Sequence, residues 1–240
     1  MSAIEDLCQT LVRLRAPDGC PWDREQTHQT LARCLIDEVS ELLETIDRHD
    51  LPHMREELGD VLVQVVFHAQ MATEQDLFDF DDVAEAIGAK MIRRHPHVFG
   101  AESRDKSAEQ QVADWEKIKA AERAGKAQGR TLDGVAMGLP ALTRAVKLQK
   151  RAARVGFDWP DTTHVIDKIV EEAAELVEAR DRLTKTEVEE EFGDLLFVVA
   201  NLARHLDIDP EAALRATNAK FTRRFEGVED ALKARGKRPA

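Results

Sequence analysis

Four carboxylates in the second half of the chain are spaced for metal chemistry: Glu172 and Glu175, then Glu191 and Asp194. The members of each pair are three residues apart. On a helix their side chains therefore lie about 60° apart and can converge on one point. Glu172 and Glu175 border an apolar stripe of Ile169, Val170, Ala173, Leu176 and Val177. Glu191 and Asp194 border one of Val188, Phe192, Leu195, Leu196 and Val199, at the same angular offset. Packed as an antiparallel hairpin, the stripes would bring four carboxylates to the rim of one core. Like charges that close repel unless a cation sits among them, and hard oxygen ligands suit Mg²⁺, with Mn²⁺ as the alternative. A lone ExxE in a chain of net charge −12 would read more simply as a solvated helix face.

The pattern occurs twice, which counts against the solvated-face reading. Glu38, Glu41, Glu57 and Asp60 stand 134 positions before Glu172, Glu175, Glu191 and Asp194, with apolar stripes at the same phase. Lys90, Met91, Arg93 and Arg94 likewise precede Lys220, Phe221, Arg223 and Arg224 by 130 positions. A repeat this long marks a duplicated domain rather than a solenoid. A carboxylate-held cation with basic residues on a nearby helix suits a triphosphate: the cation neutralises some phosphate oxygens, and lysine and arginine hold others. No glycine-rich P-loop occurs, so phosphate must be held through metal and side chains.

The ordered set of segments resembles the MazG-type nucleoside triphosphate pyrophosphohydrolases. Glu171-Glu172-x-x-Glu175 with Glu191-x-x-Asp194 matches the EExxE and ExxD motif fully. Asp37-Glu38-x-x-Glu41 with Glu57-x-x-Asp60 matches it with Asp for the first Glu. GCPWD at 19–23, RRHPHVFG at 93–100, WEKIK at 115–119, GLPAL at 138–142 and VGFDW at 155–159 extend the likeness over nearly the whole chain. The resemblance implies helical bundles assembled as homodimers. It also implies attack of water on the α-phosphate of a nucleoside triphosphate, giving a monophosphate and pyrophosphate. In that frame Glu172, Glu175, Glu191 and Asp194 are metal ligands, with Glu38, Glu41, Glu57 and Asp60 a weaker second set. Glu171 positions or deprotonates the attacking water. Lys168 contacts phosphate, and Lys220 and Arg224 clamp the triphosphate, with Arg223 beside them. A module that binds metal and nucleotide without turnover is the alternative.

The rest of the chain must position these residues. Helical periodicity and the lack of strand-like alternation predict an all-α chain of two tandem duplicated helical bundles. The expected division is an N-terminal domain over 1–124, a linker over 125–137 and a catalytic C-terminal domain over 138–240. Ser2 and Glu5 form a capping-box pattern for a first helix over 2–15. Further helices are expected at 30–48, 53–74, 81–94, 141–154, 162–182 and 186–206, with a last one from Asp209-Pro210. CPWD and Gln26-Thr27-His28 read as loop, and His95-Pro96-His97 as extended because of its proline. His28 is expected in a loop or behind the ligands, since the second ExxH of a di-iron bundle is absent. Apolar surface on more than one helix face predicts a dimer.

The acidic balance argues against direct nucleic-acid binding. Three cysteines without a CxxC suit a reducing cytosol. No apolar run approaches a membrane span and no signal-peptide pattern opens the chain, so a cytoplasmic protein is expected. The two halves differ on one helical turn. Lys168 and Glu171 of the second half correspond to Cys34 and Asp37 of the first, which predicts that the second half carries most of the turnover.

Overall fold

The computed structural model describes residues 2–124 and 130–238, and among these no strand occurs. The chain divides into two compact units, Met1–Ala120 and Ala121–Ala240. Of the expected linker, residues 125–129 lie outside the described residues.

In the first unit, α1 (Ala3–Arg15) opens on the Ser2–Glu5 capping box. The hairpin of α3 (His28–Asp47) and α4 (Leu51–Thr73) forms its centre, with α1 and α5 (Phe80–Arg94) packed on α4. Leu11, Leu31, Val66, Phe67 and Met71 make the core, and Cys34 packs against it. Two short helices replace segments expected to be irregular: α2 (Pro21–Glu25) and α6 (Pro96–Phe99), each with proline in its first turn. Proline there loses only an N–H that has no helical partner. Proline's restriction falls on the residue before it, and His95, at φ −124° and ψ 57°, is neither helical nor extended. α7 (Ala108–Ala124) carries the charged run that ends at the undescribed residues.

The second unit repeats the plan. α9 (Thr162–Arg182) and α10 (Lys185–His205) form the central hairpin, α8 (Ala141–Ala153) packs on α10, and α11 (Pro210–Lys233) packs on α8. Capping fixes where these helices start. Asp161 accepts from the Thr163 and His164 amides, and Thr184 pairs with Glu187 in a capping box.

The buried seam differs from the expected stripes. On α9 it runs through Val165, Glu172 and Ala179, seven residues apart, with Ile169 and Leu176 half-buried between them. On α10 it runs through Val188, Glu191, Leu195 and Val198. Val170, Val177, Phe192, Leu196 and Val199 are at least 40% exposed. The first half shows the same rotation: Leu31, Glu38 and Thr45 line the seam, while Ile36, Val39, Leu58 and Leu62 stay exposed. Each helix thus has two apolar sectors, and the hairpin buries only one. Glu172 and Glu191, like Glu38 and Glu57, therefore sit on the seam itself, while Glu175, Asp194, Glu41 and Asp60 stay exposed at its edge.

Candidate metal centre

Facing seams bring Glu172, Glu175 and Glu191 together, so that one carboxylate oxygen from each lies within 4.8 Å of the others. Glu38, Glu41 and Glu57 form the same group in the first half. Asp194 and Asp60 stand outside these triads, on exposed positions one turn further along α10 and α4. They remain close enough for charge to act: burial raises the Glu191 carboxyl above its ordinary value, and the charges of Glu175, Asp194 and Glu172 raise it further. Burial raises Glu38, assisted by Asp60, Glu41 and Glu57. Glu57 is raised by burial, then by Glu41 and Asp60.

A lysine separates the two sites. Lys168 Nζ lies 2.8 Å from Glu171 Oε1, 2.8 Å from Glu172 Oε1 and 4.0 Å from Glu175 Oε2. Its hydrogen bonds to Glu171 and then Glu172 hold the ammonium pKa well above the usual lysine value. Glu172, with its side chain 7% exposed, is paired with this ammonium. At the corresponding place in the first half Cys34 packs on the core. There the Gln64 amide donates to Glu38, and Glu57 Oε2 is buried without a partner. An orphaned buried carboxylate oxygen within a triad of hard oxygen ligands fits Mg²⁺ or Mn²⁺.

The first site opens into a cavity of about 330 Å³ lined by Glu41, Glu57, Arg48 and His53, among others. His53 Nδ1 lies 2.6 Å from Asp50 Oδ2, and this hydrogen bond raises the imidazole pKa. Arg48 pairs with Glu44.

The other expected residues fall in two groups. Glu171 is exposed and bonded to Lys168, beside the triad. Lys220, Arg223 and Arg224 lie on exposed positions of α11, and no ion pair joins them to the carboxylates among the described residues. α11 buries none of its residues and leaves Leu214, Phe221, Phe225 and Val228 open, with the Phe221 and Phe225 rings stacked 6.1 Å apart.

Three features escaped the sequence reading. Gln64, buried to 8% exposure, takes the place of Val198 in the repeat, so comparison of the halves would have marked it. The Lys168 ion pairs follow from its spacing of three, four and seven from Glu171, Glu172 and Glu175. His28 is not in a loop. It opens α3, and its Nδ1 lies 2.8 Å from Nδ1 of His68 on α4. One ring donates and the other accepts, and burial followed by the charge of His28 lowers the His68 pKa. That partner is 40 residues away and no local pattern reveals it.

The model of the MazG nucleotide pyrophosphohydrolase domain matches residues 26–99 and again 161–228. The chain is 51% identical over 239 residues to the nucleoside triphosphate pyrophosphohydrolase of Escherichia coli strain K12, covering 98% of this chain and 90% of that protein. It is 48% identical over 232 residues to the nucleoside triphosphate pyrophosphohydrolase/pyrophosphatase MazG of Thermotoga maritima, covering 97% and 88%. The uncharacterized protein YabN of Bacillus subtilis is 47% identical over 224 residues, covering 93% of this chain and 45% of YabN.

Proposed function

This chain belongs to the MazG nucleotide pyrophosphohydrolase family, and from that premise we propose that its second domain, 138–240, is the catalytic one and the first, 1–124, a weaker copy. It is an enzyme, a nucleoside triphosphate pyrophosphohydrolase. In our reading it hydrolyses nucleoside triphosphates at the α-phosphate to monophosphate and pyrophosphate, with Mg²⁺ as the cation and with broad base tolerance. The observation that carries this reading is the convergence of Glu172, Glu175 and Glu191 on one point with Lys168 among them. Asp194, one turn further along α10 and near enough for its charge to raise Glu191, would be the fourth ligand of such a cation.

A divalent cation held there neutralises phosphate oxygens and polarises the phosphorus under attack. The chain's own groups do the rest. Glu171, exposed next to the triad, accepts the proton of the attacking water. Lys168 donates to a phosphate oxygen, and Lys220, Arg223 and Arg224 stabilise the charge that develops on pyrophosphate. The proposed contacts all fall on the triphosphate, which is why base tolerance is expected to be broad.

The exposed apolar sectors of α9, α10 and α11 support a homodimer, because a lone chain would leave Val170, Phe192, Phe221 and Phe225 in water. No helix of the described residues is long and apolar enough to cross a membrane.

Binding without turnover suits the first half, where Cys34 and Asp37 stand in place of Lys168 and Glu171. Incubation with Mg²⁺ and each nucleoside triphosphate, followed by product identification, tests the reading. Monophosphate and pyrophosphate support it, whereas diphosphate and orthophosphate would rule out attack at the α-phosphate.

A further inference from the structure

We propose that Lys168 is a resident counter-ion of the second-half metal site, displaced only when nucleotide arrives, so that the first-half cluster is the one that holds a free divalent cation. The inference rests on the reading that the carboxylate triads hold metal.

The geometry sets up a competition. The Lys168 ammonium donates to Glu171 and Glu172 at 2.8 Å and stands 4.0 Å from Glu175. It therefore fills the place between Glu172 and Glu175 that a cation would take. Mg²⁺ needs carboxylate oxygens at about 2.1 Å. An ammonium bonded to the same Glu172 oxygen would then lie within a few ångströms of the ion, where two positive charges repel strongly. One must leave. Lysine is a compact charge on a flexible four-carbon arm, free to exchange one anionic partner for another. A triphosphate offers that second partner. Cation and triphosphate thus enter together, and the ammonium passes from Glu172 to a phosphate oxygen as they do.

The first half has no such competitor. Cys34 stands where Lys168 stands, packs on the core and carries no fixed positive charge. Glu57 Oε2 is buried and unpartnered, and Gln64, itself 8% exposed, gives Glu38 a single neutral donor. Arg48 and His53 line the same cavity but are paired with Glu44 and Asp50, so no ammonium stands inside the triad as Lys168 does, and a free divalent ion can neutralise it without help from nucleotide. The two copies of one motif then differ in order of loading: the first takes metal alone, the second takes metal only with substrate.

The test is Mn²⁺ titration of the metal-stripped full chain, with free Mn²⁺ followed by electron paramagnetic resonance. Without nucleotide, the wild type is expected to bind one Mn²⁺ tightly per chain, and Glu38→Gln with Glu41→Gln should abolish it. Lys168→Met should raise the affinity of the second site at least about tenfold, giving two tight ions per chain. Lys168→Arg keeps the charge and should stay like the wild type. Addition of a non-hydrolysable α,β-imido nucleoside triphosphate should bring the wild type to two ions. Circular dichroism confirms folding of each variant, and Lys168→Gln replaces Lys168→Met if the latter does not fold. Two equivalent ions in the wild type without nucleotide would overturn the inference, as would an unchanged second-site affinity in both neutral variants. If Glu172→Gln with Glu175→Gln removes no Mn²⁺ even with the imido analogue present, the ligand assignment itself falls, an outcome distinct from failure of the counter-ion role.

Discussion

The two halves carry the same carboxylates on the same seam and neutralise them differently. In the second half an ammonium from the preceding turn bonds Glu171 and the buried Glu172. In the first half a cysteine packs into the core at that position, and the carboxylates have the Gln64 amide at Glu38, the charge of His53 near Glu57, and an orphaned oxygen on Glu57. A duplicated motif can thus keep its carboxylates while differing in the group that pairs with them. Under the proposed division of labour, a turnover site and a holding site would differ in one helical turn before the first ligand, rather than in the ligands themselves.

Removing that turn's charge should produce the largest separation between the halves. Lys168→Met is expected to lower kcat about ten- to a hundredfold, the loss of one charge-assisted phosphate contact worth about 1.5–3 kcal/mol, while Cys34→Ser leaves steady-state turnover essentially unchanged. Equal effects of the two substitutions would erase the distinction.

Stability of the metal-free protein gives the next contrast. Lys168→Met leaves Glu172 buried without a cation, and should cost roughly 2 kcal/mol, between the values for buried and exposed pairs. Mn²⁺ should restore it. Chemical denaturation in the presence of chelator, then with metal, measures both. Glu38→Gln should act in the opposite sense, stabilising the metal-free protein by about 0.5 kcal/mol, because it removes a charge repelled by Glu41 one turn away. A clear destabilisation would mean that Glu38 has a structural partner.

The smallest effect is a pH dependence. Glu38 and Glu57 have folded pKa values above the unfolded carboxylate value, so the folded state binds their protons more tightly. Their contribution to stability is present at low pH and lost as pH rises through the raised pKa values. His68, held down by burial, works the other way between pH 7 and pH 5, and Glu74, held down by its hydrogen bond from Arg15, does so at lower pH. The carboxylate effect is therefore read as a difference: on going from pH 7 to pH 5 the metal-free wild type should gain melting temperature relative to Glu38→Gln, in which the His68 contribution is the same, and Mn²⁺ should flatten that difference. An identical pH dependence in the two proteins would contradict the claim.

Much of this was legible in the residues. The repeat and the helical class follow from spacing, because a period near 3.6 leaves a visible trace; the same spacing predicts four converging carboxylates in each half, of which three meet, with Asp194 and Asp60 outside the groups. The choice of buried face does not. Val170 and Val177 are as apolar as Ile169 and Leu176, and only the facing helix decides which pair enters the hairpin. Lys168 reads as a phosphate contact, and its ion pairs in the free protein depend on Glu172 being buried, which the sequence does not state. Lys220, Arg223 and Arg224 were correctly placed on one helix, yet their exposure depends on α11 packing on α8. The His28–His68 contact joins residues too far apart in the chain for any local pattern.

The central claim is that the second half performs the turnover. Pyrophosphate release from a nucleoside triphosphate, measured for two double variants with matched folding and Mg²⁺, tests it most directly. Glu38→Gln with Glu41→Gln should keep most of the wild-type rate, and Glu172→Gln with Glu175→Gln should remove it. Equal losses from the two variants would show that the halves share the work, and the importance given to Lys168 and Glu171 over Cys34 and Asp37 would be wrong.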